Sequence, residues 1–361
     1  MIQKLTKVSN QNINSIFENE SHLEYSIPNT KFITLMYNLI RSYEYKKETF
    51  KTNITDMQDV KVEFMGNHIA EYIKTHKFYN NETSFVLNDI SVALNIYSSN
   101  IINVDKYLFY IKLVLHLCMK TSSKPPKEFS VKLILTDMAK TKPTLPVERS
   151  HINSGQTDPN KNHITIFRKE EWFKVFIHEC IHLFELDFCN KRVDYVRLFK
   201  PLFKIESDFL LFEAYTEFWA RIINLSIISY YTVDHISLHH FEKIMLINIQ
   251  VERLFCINQM NHLLHNIGIT YESLFIELKL RENTNFFCYY VLTSILFYNF
   301  NDTMDWCMKH NDNLLQFSNK NVYIFFNFIK KHYRKPDFLH FIKGADKPLH
   351  NCNMSAFDIF F

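Results

Sequence analysis

His178, Glu179 and His182, within His178-Glu179-Cys180-Ile181-His182, combine side chains and a spacing that can hold a metal ion. A helix turns about 100° per residue, so positions i and i+4 lie about one turn apart on one face, and two imidazoles there can converge on one ion. Glu179 sits on the flank of that face, angled toward a water at the ion rather than toward the ion itself. The chemistry of such a trio is metal-assisted hydrolysis, with Glu179 as general base. For a chain with 17 histidines the pattern arises by chance in roughly a few per cent of cases, so its surroundings must decide. Trp172, Phe173, Val175, Phe176, Ile177, Ile181, Leu183, Phe184 and Leu186 make this helix apolar on nearly every side. Polar groups on such a helix are costly to bury unless something satisfies them, and a metal would do so.

A third ligand separates the families that share this pattern. The metzincin arrangement continues with a glycine and a third histidine, and Glu185 and Phe188 stand there instead. The segment Phe212-Glu213-Ala214-Tyr215-Thr216-Glu217-Phe218-Trp219-Ala220 resembles the second helix of gluzincin zinc peptidases, the thermolysin-like and aminopeptidase-like group. That resemblance implies Zn2+ as cofactor, Glu213 as third ligand and Glu217 as the acid that hydrogen-bonds a ligand histidine. It also implies hydrolysis of peptide bonds, with a peptide or protein as substrate. The chain departs from the family in having glutamate at 217, where aspartate is common, and a longer spacer between His182 and Glu213. The spacer, residues 189–206, reads as a solvated loop. The resemblance covers these two helices alone. Read without it, Glu213 and Glu217 would be an exposed helix face with Glu217 paired to Arg221 at i+4. The apolar residues around both glutamates favour the ligand reading.

The elements that must position these residues are mainly helical. Residues 1–30 are polar and read as a loose arm, and residues 29–122 as mostly helical. Within them, residues 104–120 show Tyr107, Tyr110, Ile111, Val114, Leu115 and Cys118 at three- and four-residue spacing. Pro125-Pro126 breaks that pattern. The break divides a mainly helical region, 1–125, from a zincin-like region, 126–361, with a C-terminal helical subdomain. Residues 130–136 and 163–168 have strand character, with a turn signal at Asp158-Pro159-Asn160-Lys161-Asn162 between them and the preceding segment. Helices follow over 169–188 and 207–229, and again from about 237 to 343. The fold class is α+β: predominantly helical, with a small mixed sheet next to the motif helix.

The remaining site residues follow from the family comparison. Zincin peptidases bind substrate as an added strand along a sheet edge just before the motif helix, which points to Asn153, Ser154 and Gly155. A donor for the developing oxyanion is sought in the C-terminal part, where Tyr289 and Tyr290 are candidates, with His262 and His265 behind them. His235, His239 and His240 read as a turn and helix start. An amine-binding glutamate motif is lacking, so exopeptidase action is unsupported.

Composition sets the outer limits. Lysine plus arginine exceeds aspartate plus glutamate by 41 − 38 = 3, a near-balance that gives no reason to expect a nucleic-acid partner. The 7 cysteines form no CxxC pair and read as buried thiols of a reducing compartment. Neither a signal peptide nor a membrane span is legible, so a soluble cytoplasmic protein is expected. With 4 glycines among abundant Asn, Ile, Lys, Phe and Tyr, the chain has the bias of an AT-rich genome, such as that of a large DNA virus or a protist. Against the peptidase reading stands a zincin-fold protein that holds metal or a partner without catalysis. Intact Glu179 argues for the enzyme.

Overall fold

Polar and apolar residues alternate through Ile90-Ser91-Val92-Ala93-Leu94-Asn95-Ile96, which buries the even-numbered side chains and turns the odd-numbered ones outward. This strand lies inside a six-stranded mixed sheet. The computed structural model describes residues 4–17, 30–57, 65–158, 162–345, 349 and 351–361. Much of the expected N-terminal arm, and Pro159-Asn160-Lys161 of the turn signal, lie outside the described residues.

The strands are β1 (Lys51–Asp56), β2 (Lys77–Leu87), β3 (Ile90–Ser98), β4 (Glu128–Leu135), β5 (Gly155–Asp158) and β6 (His163–Ile166). Their spatial order is β1-β2-β3-β4-β6-β5. The first three run antiparallel, β3, β4 and β6 run parallel, and β5 returns antiparallel to β6. Asn88 and Asp89, with φ of 46° and 66°, make the two-residue turn between β2 and β3, as a tight hairpin with right-handed strand twist requires.

Three of these strands fall where residues 29–122 read as mostly helical. The expectation fails at β2, whose Asn80-Asn81-Glu82-Thr83-Ser84 run hides the alternation that β3 shows plainly. The sheet also runs across the Pro125-Pro126 break, because β3 pairs with β4 and the helix between them is a parallel crossover.

The helices in chain order are α1 (Lys7–Phe17), α2 (Lys31–Arg41), α3 (Asn67–Thr75), α4 (Val104–Thr121), the single turn α5 (Arg149–Ile152), α6 (Trp172–Leu183) and α7 (Tyr195–Phe199). The longest pair follows, α8 (Leu211–Tyr230) and α9 (Leu238–Asn266). The last four are α10 (Thr293–Tyr298), α11 (Phe300–His310), α12 (Val322–His332) and α13 (Pro336–Gly344). Helix α3 covers one part of the sheet, with Ile69 and Ile73 against Phe78, Ile134 and Phe167. The main core gathers α4, α6, α8 and α9 together with β3, β4 and β6. Helix α8 is buried along nearly its whole length, including the polar face that carries Glu213, Glu217, Arg221 and Asn224 at helical spacing. Among the described residues no helix is long and apolar enough to cross a membrane.

The spacer between His182 and Glu213 is only partly the solvated loop expected of it. Phe199, Phe203 and Ile205 are buried, and Asp194 caps the short helix α7 by accepting from Arg197 N. All seven cysteines carry free thiols, and six of them are buried.

Candidate metal centre

Helix α6 is wedged between β5, β6, α4 and α8, so its polar residues must find partners inside the protein. They find them on α8. His178 Nε2 and His182 Nε2 face each other at 3.1 Å, and Glu213 Oε2 lies 3.1 Å from the first and 3.4 Å from the second. The outer nitrogens are both engaged. His178 Nδ1 donates to Glu217 Oε2 at 3.1 Å, and His182 Nδ1 donates to Asp187 Oδ2 at 2.6 Å. A carboxylate only accepts, so each Nδ1 holds a ring proton and each Nε2 is left facing Glu213, as a lone pair in the neutral ring or an N–H in the charged one.

Three candidate ligand atoms therefore converge at hydrogen-bond distance, a group that could hold a metal ion or, without one, shared protons. A tetrahedral ion bonded at about 2.0–2.1 Å spaces its ligand atoms about 3.3 Å apart. The observed separations of 3.1 to 3.4 Å fit that cradle. Two imidazoles and one carboxylate would hold such an ion with three protein ligands, the number found in catalytic rather than purely structural sites.

Glu217 reconciles the two readings of the sequence. It pairs with Arg221 Nε at 2.8 Å and also serves His178, but no part of that helix face is exposed. Lys174 Nζ completes its shell at 3.0 and 3.1 Å. Burial would raise the Glu217 carboxyl, but Lys174 and Arg221 hold it well below the usual carboxylate range. Glu213 follows the same balance: burial raises it, His182 and His178 outweigh that, and it rests at about 2. Burial likewise drives Glu179 upward, with His178, His182 and Thr157 only partly opposing it, so the expected base keeps a raised pKa.

The centre opens on a cleft of about 420 Å³ whose walls include Gly155, Thr157, Glu179, Phe212, Asn285 and Tyr289. Of the expected edge residues, Asn153 and Gly155 line it, while Ser154 is buried beside a much smaller cavity of about 20 Å³. The edge strand itself begins at Gly155 and pairs, among the described residues, with β6 alone. Gly155 also has a role inside the protein, beside the expected close approach of substrate. A Cβ there would come within 2.8 Å of Val175 Cγ1 and 3.2 Å of Glu179 Oε1, so the glycine makes room for the motif helix and its carboxylate.

The paired tyrosines part company. Tyr289 donates to Glu213 Oε2 at 3.2 Å and stands in the cleft. Tyr290 is buried and donates to Cys352 O at 2.9 Å, so its hydroxyl cannot reach the centre. Successive residues of a helix point about 100° apart, and a π-helical turn over Phe287–Leu292 aims Tyr289 inward. His262 and His265 do not line the cleft, and His235, His239 and His240 flank the Ser237 cap at the start of α9.

Four contributors went unread in the sequence: Asp187, Thr157, Asn285 and Cys189. Asp187 lies beyond the end of α6, where no helical spacing ties it to His182. Asn285 donates to Glu213 Oε1 at 2.9 Å from a segment more than seventy residues away, so only tertiary structure reveals it. Thr157 was within the expected edge segment, but its partner Glu179 follows from the sheet's packing. No protein-family model, curated protein or solved structure matches this chain.

Proposed function

We propose that this protein is a zinc-dependent peptidase of gluzincin type, with His178, His182 and Glu213 as ligands and Glu179 as general base. The observation that carries the reading is the convergence of His178 Nε2, His182 Nε2 and Glu213 Oε2 at tetrahedral-ligand spacing, with the Glu179 carboxylate in the same cleft. Zinc, when bound, supplies a Lewis acid that polarises a carbonyl and acidifies water. Glu179 accepts the attacking water's proton and returns it to the leaving amine; its burial-raised pKa suits both transfers. Tyr289 is placed to donate to the developing oxyanion once substrate competes with Glu213 for its proton. Strand β5, which pairs among the described residues with β6 alone, is the strand beside which an extended peptide backbone would lie. Glu217 and Asp187 fix the ligand tautomers.

Glu179→Gln and His178→Ala test the assignment together. Elemental analysis is expected to find about one zinc per chain in the wild type and in Glu179→Gln, and none in His178→Ala. A fluorogenic peptide library is expected to be cleaved by the wild type alone. Turnover retained by Glu179→Gln would overturn the catalytic role. Zinc bound without any cleavage would leave a metal-binding module in place of an enzyme.

A further inference from the structure

Thr157 lies on β5, and its hydroxyl is 2.7 Å from Glu179 Oε2 and 3.0 Å from the main-chain oxygen of the same residue. The other carboxylate oxygen, Oε1, rests against the backbone of Gly155, close enough that a Cβ there would come within 3.2 Å of it. One oxygen of the carboxylate is thus held by Thr157, and the other has the room left by Gly155, two positions away on the same face of the pleat. We infer that Thr157 is a positioning residue for Glu179, and that the edge strand orients the base while also offering its backbone to substrate. This rests on the reading of Glu179 as the base.

The chemistry suits a hydroxyl in particular. A general base alternates between carboxylate and carboxylic acid within each turnover. Thr157 has one proton and two acceptors in reach. While Glu179 is ionised, the hydroxyl donates to Oε2 and leaves Oε1 as the oxygen that receives the water's proton. When Oε1 carries that proton, Oε2 is still an acceptor, so the Thr157 hydroxyl keeps its bond to Oε2 and the carboxyl keeps its orientation. Both states keep a partner, so neither leaves a buried polar atom stranded. A methyl in place of the hydroxyl would serve neither.

This role also explains why β5 turns back antiparallel beside the motif helix. Gly155 admits Glu179, and the pleat returns the Thr157 side chain to the same face. Gln156, between them, belongs to the opposite face by alternation. Glu179 is therefore fixed from the strand side, while His178 is fixed from α8 and His182 by Asp187 just beyond α6.

Thr157→Val, isosteric but without the hydroxyl, and Thr157→Ser, which restores it, form the test. Two readouts are used: crystal structures of the zinc-loaded variants, and steady-state kinetics on a fluorogenic peptide cleaved by the wild type. In the wild type and Thr157→Ser the Glu179 carboxylate is expected in one orientation, with a serine or threonine hydroxyl within hydrogen-bond reach. In Thr157→Val it is expected rotated or split between orientations, with zinc content unchanged. Kinetically, Thr157→Val is expected to lower kcat about tenfold with KM nearly constant, and Thr157→Ser to recover most of it. An unchanged Glu179 orientation in Thr157→Val would overturn the inference, whatever the kinetics. So would a loss confined to KM. If no peptide is cleaved by the wild type, the peptidase reading fails, and the crystal structures still decide whether Thr157 positions the carboxylate.

Discussion

His182 Nδ1 donates to Asp187 Oδ2 across 2.6 Å, from the last turn of α6 to a residue just beyond it. Asp187 is itself fixed by Thr216 Oγ1 at 3.0 Å and by the Cys189 backbone N–H at 3.2 Å. The imidazole of His182 therefore has one permitted tautomer and one permitted orientation, both set from outside the metal motif.

Removing that support is expected to weaken metal binding without removing a ligand. Asp187→Ala should raise the zinc dissociation constant by about 10- to 100-fold, measured by competition with a chromogenic chelator. Asp187→Asn keeps an acceptor for Nδ1 and should lose less. An Asp187→Ala protein with wild-type affinity would show that His182 needs no such partner.

Metal and protons compete for the same lone pairs. Burial would lower the pKa of His182, but Asp187 and Glu213 overcome it and hold the ring well above the usual histidine value; His178 is also raised, against burial, by Glu213 and Glu217. The metal-free fold thus binds protons that the unfolded chain releases above a pKa of about 6.5. Folded values above unfolded ones mean that this contribution to stability is complete below about pH 6.5 and is lost as pH rises through the raised values. Zinc, bound as proposed, would replace those protons. The difference in melting temperature between zinc-loaded and chelator-stripped protein is expected to widen from about pH 6 to pH 8.5, and zinc binding should release protons in calorimetry run in buffers of differing ionisation enthalpy. A difference that narrows with rising pH would contradict this.

Tyr289 and Tyr290 are adjacent in sequence and opposite in consequence. Tyr289→Phe removes a donor at the centre and is expected to lower kcat by roughly 10²-fold, with zinc retained. Tyr290→Phe removes only the bond to Cys352 O and should cost about 1 kcal/mol of stability with kcat unchanged. Peptide cleavage rates and denaturant melts separate the two; equal kinetic losses would deny Tyr289 its place at the reacting carbonyl.

What was legible in the chain follows the range of the forces involved. The histidines of α6 and the glutamates of α8 were readable because helical periodicity alone places each pair on one face, and the surrounding apolar residues forced both faces inward. The pairing of the two helices was readable only by resemblance to gluzincins. Strand β3 was open to reading through its alternation, whereas β2 was obscured because Asn80, Asn81 and Thr83 are polar yet buried. Asp187, Asn285 and Thr157 reach the centre through a helix end, a distant loop and a sheet edge. None of these leaves a fixed spacing in the sequence. The crowding of Gly155 by Val175 and Glu179 is likewise visible only in the packed structure.

Lys174 tests whether the buried charges serve stability or the site. Its ammonium is almost wholly buried against Glu217, which also meets Arg221 and His178. Lys174→Met leaves that carboxylate with one cation fewer in an apolar interior, and breaking a buried pair from one side costs about 3–5 kcal/mol. Arg221 remains, so a loss near the lower end is expected in urea melts. The double variant Lys174→Met/Glu217→Gln removes the stranded charge and should regain much of that stability, because a buried pair is often no better than neutral groups of similar size. It should not regain zinc affinity, since a neutral amide supports the His178 imidazole less well than a carboxylate does. Stability recovered together with full zinc affinity would mean that the Glu217 charge is dispensable to the centre, and that the ion pair with Lys174 is there for the fold alone.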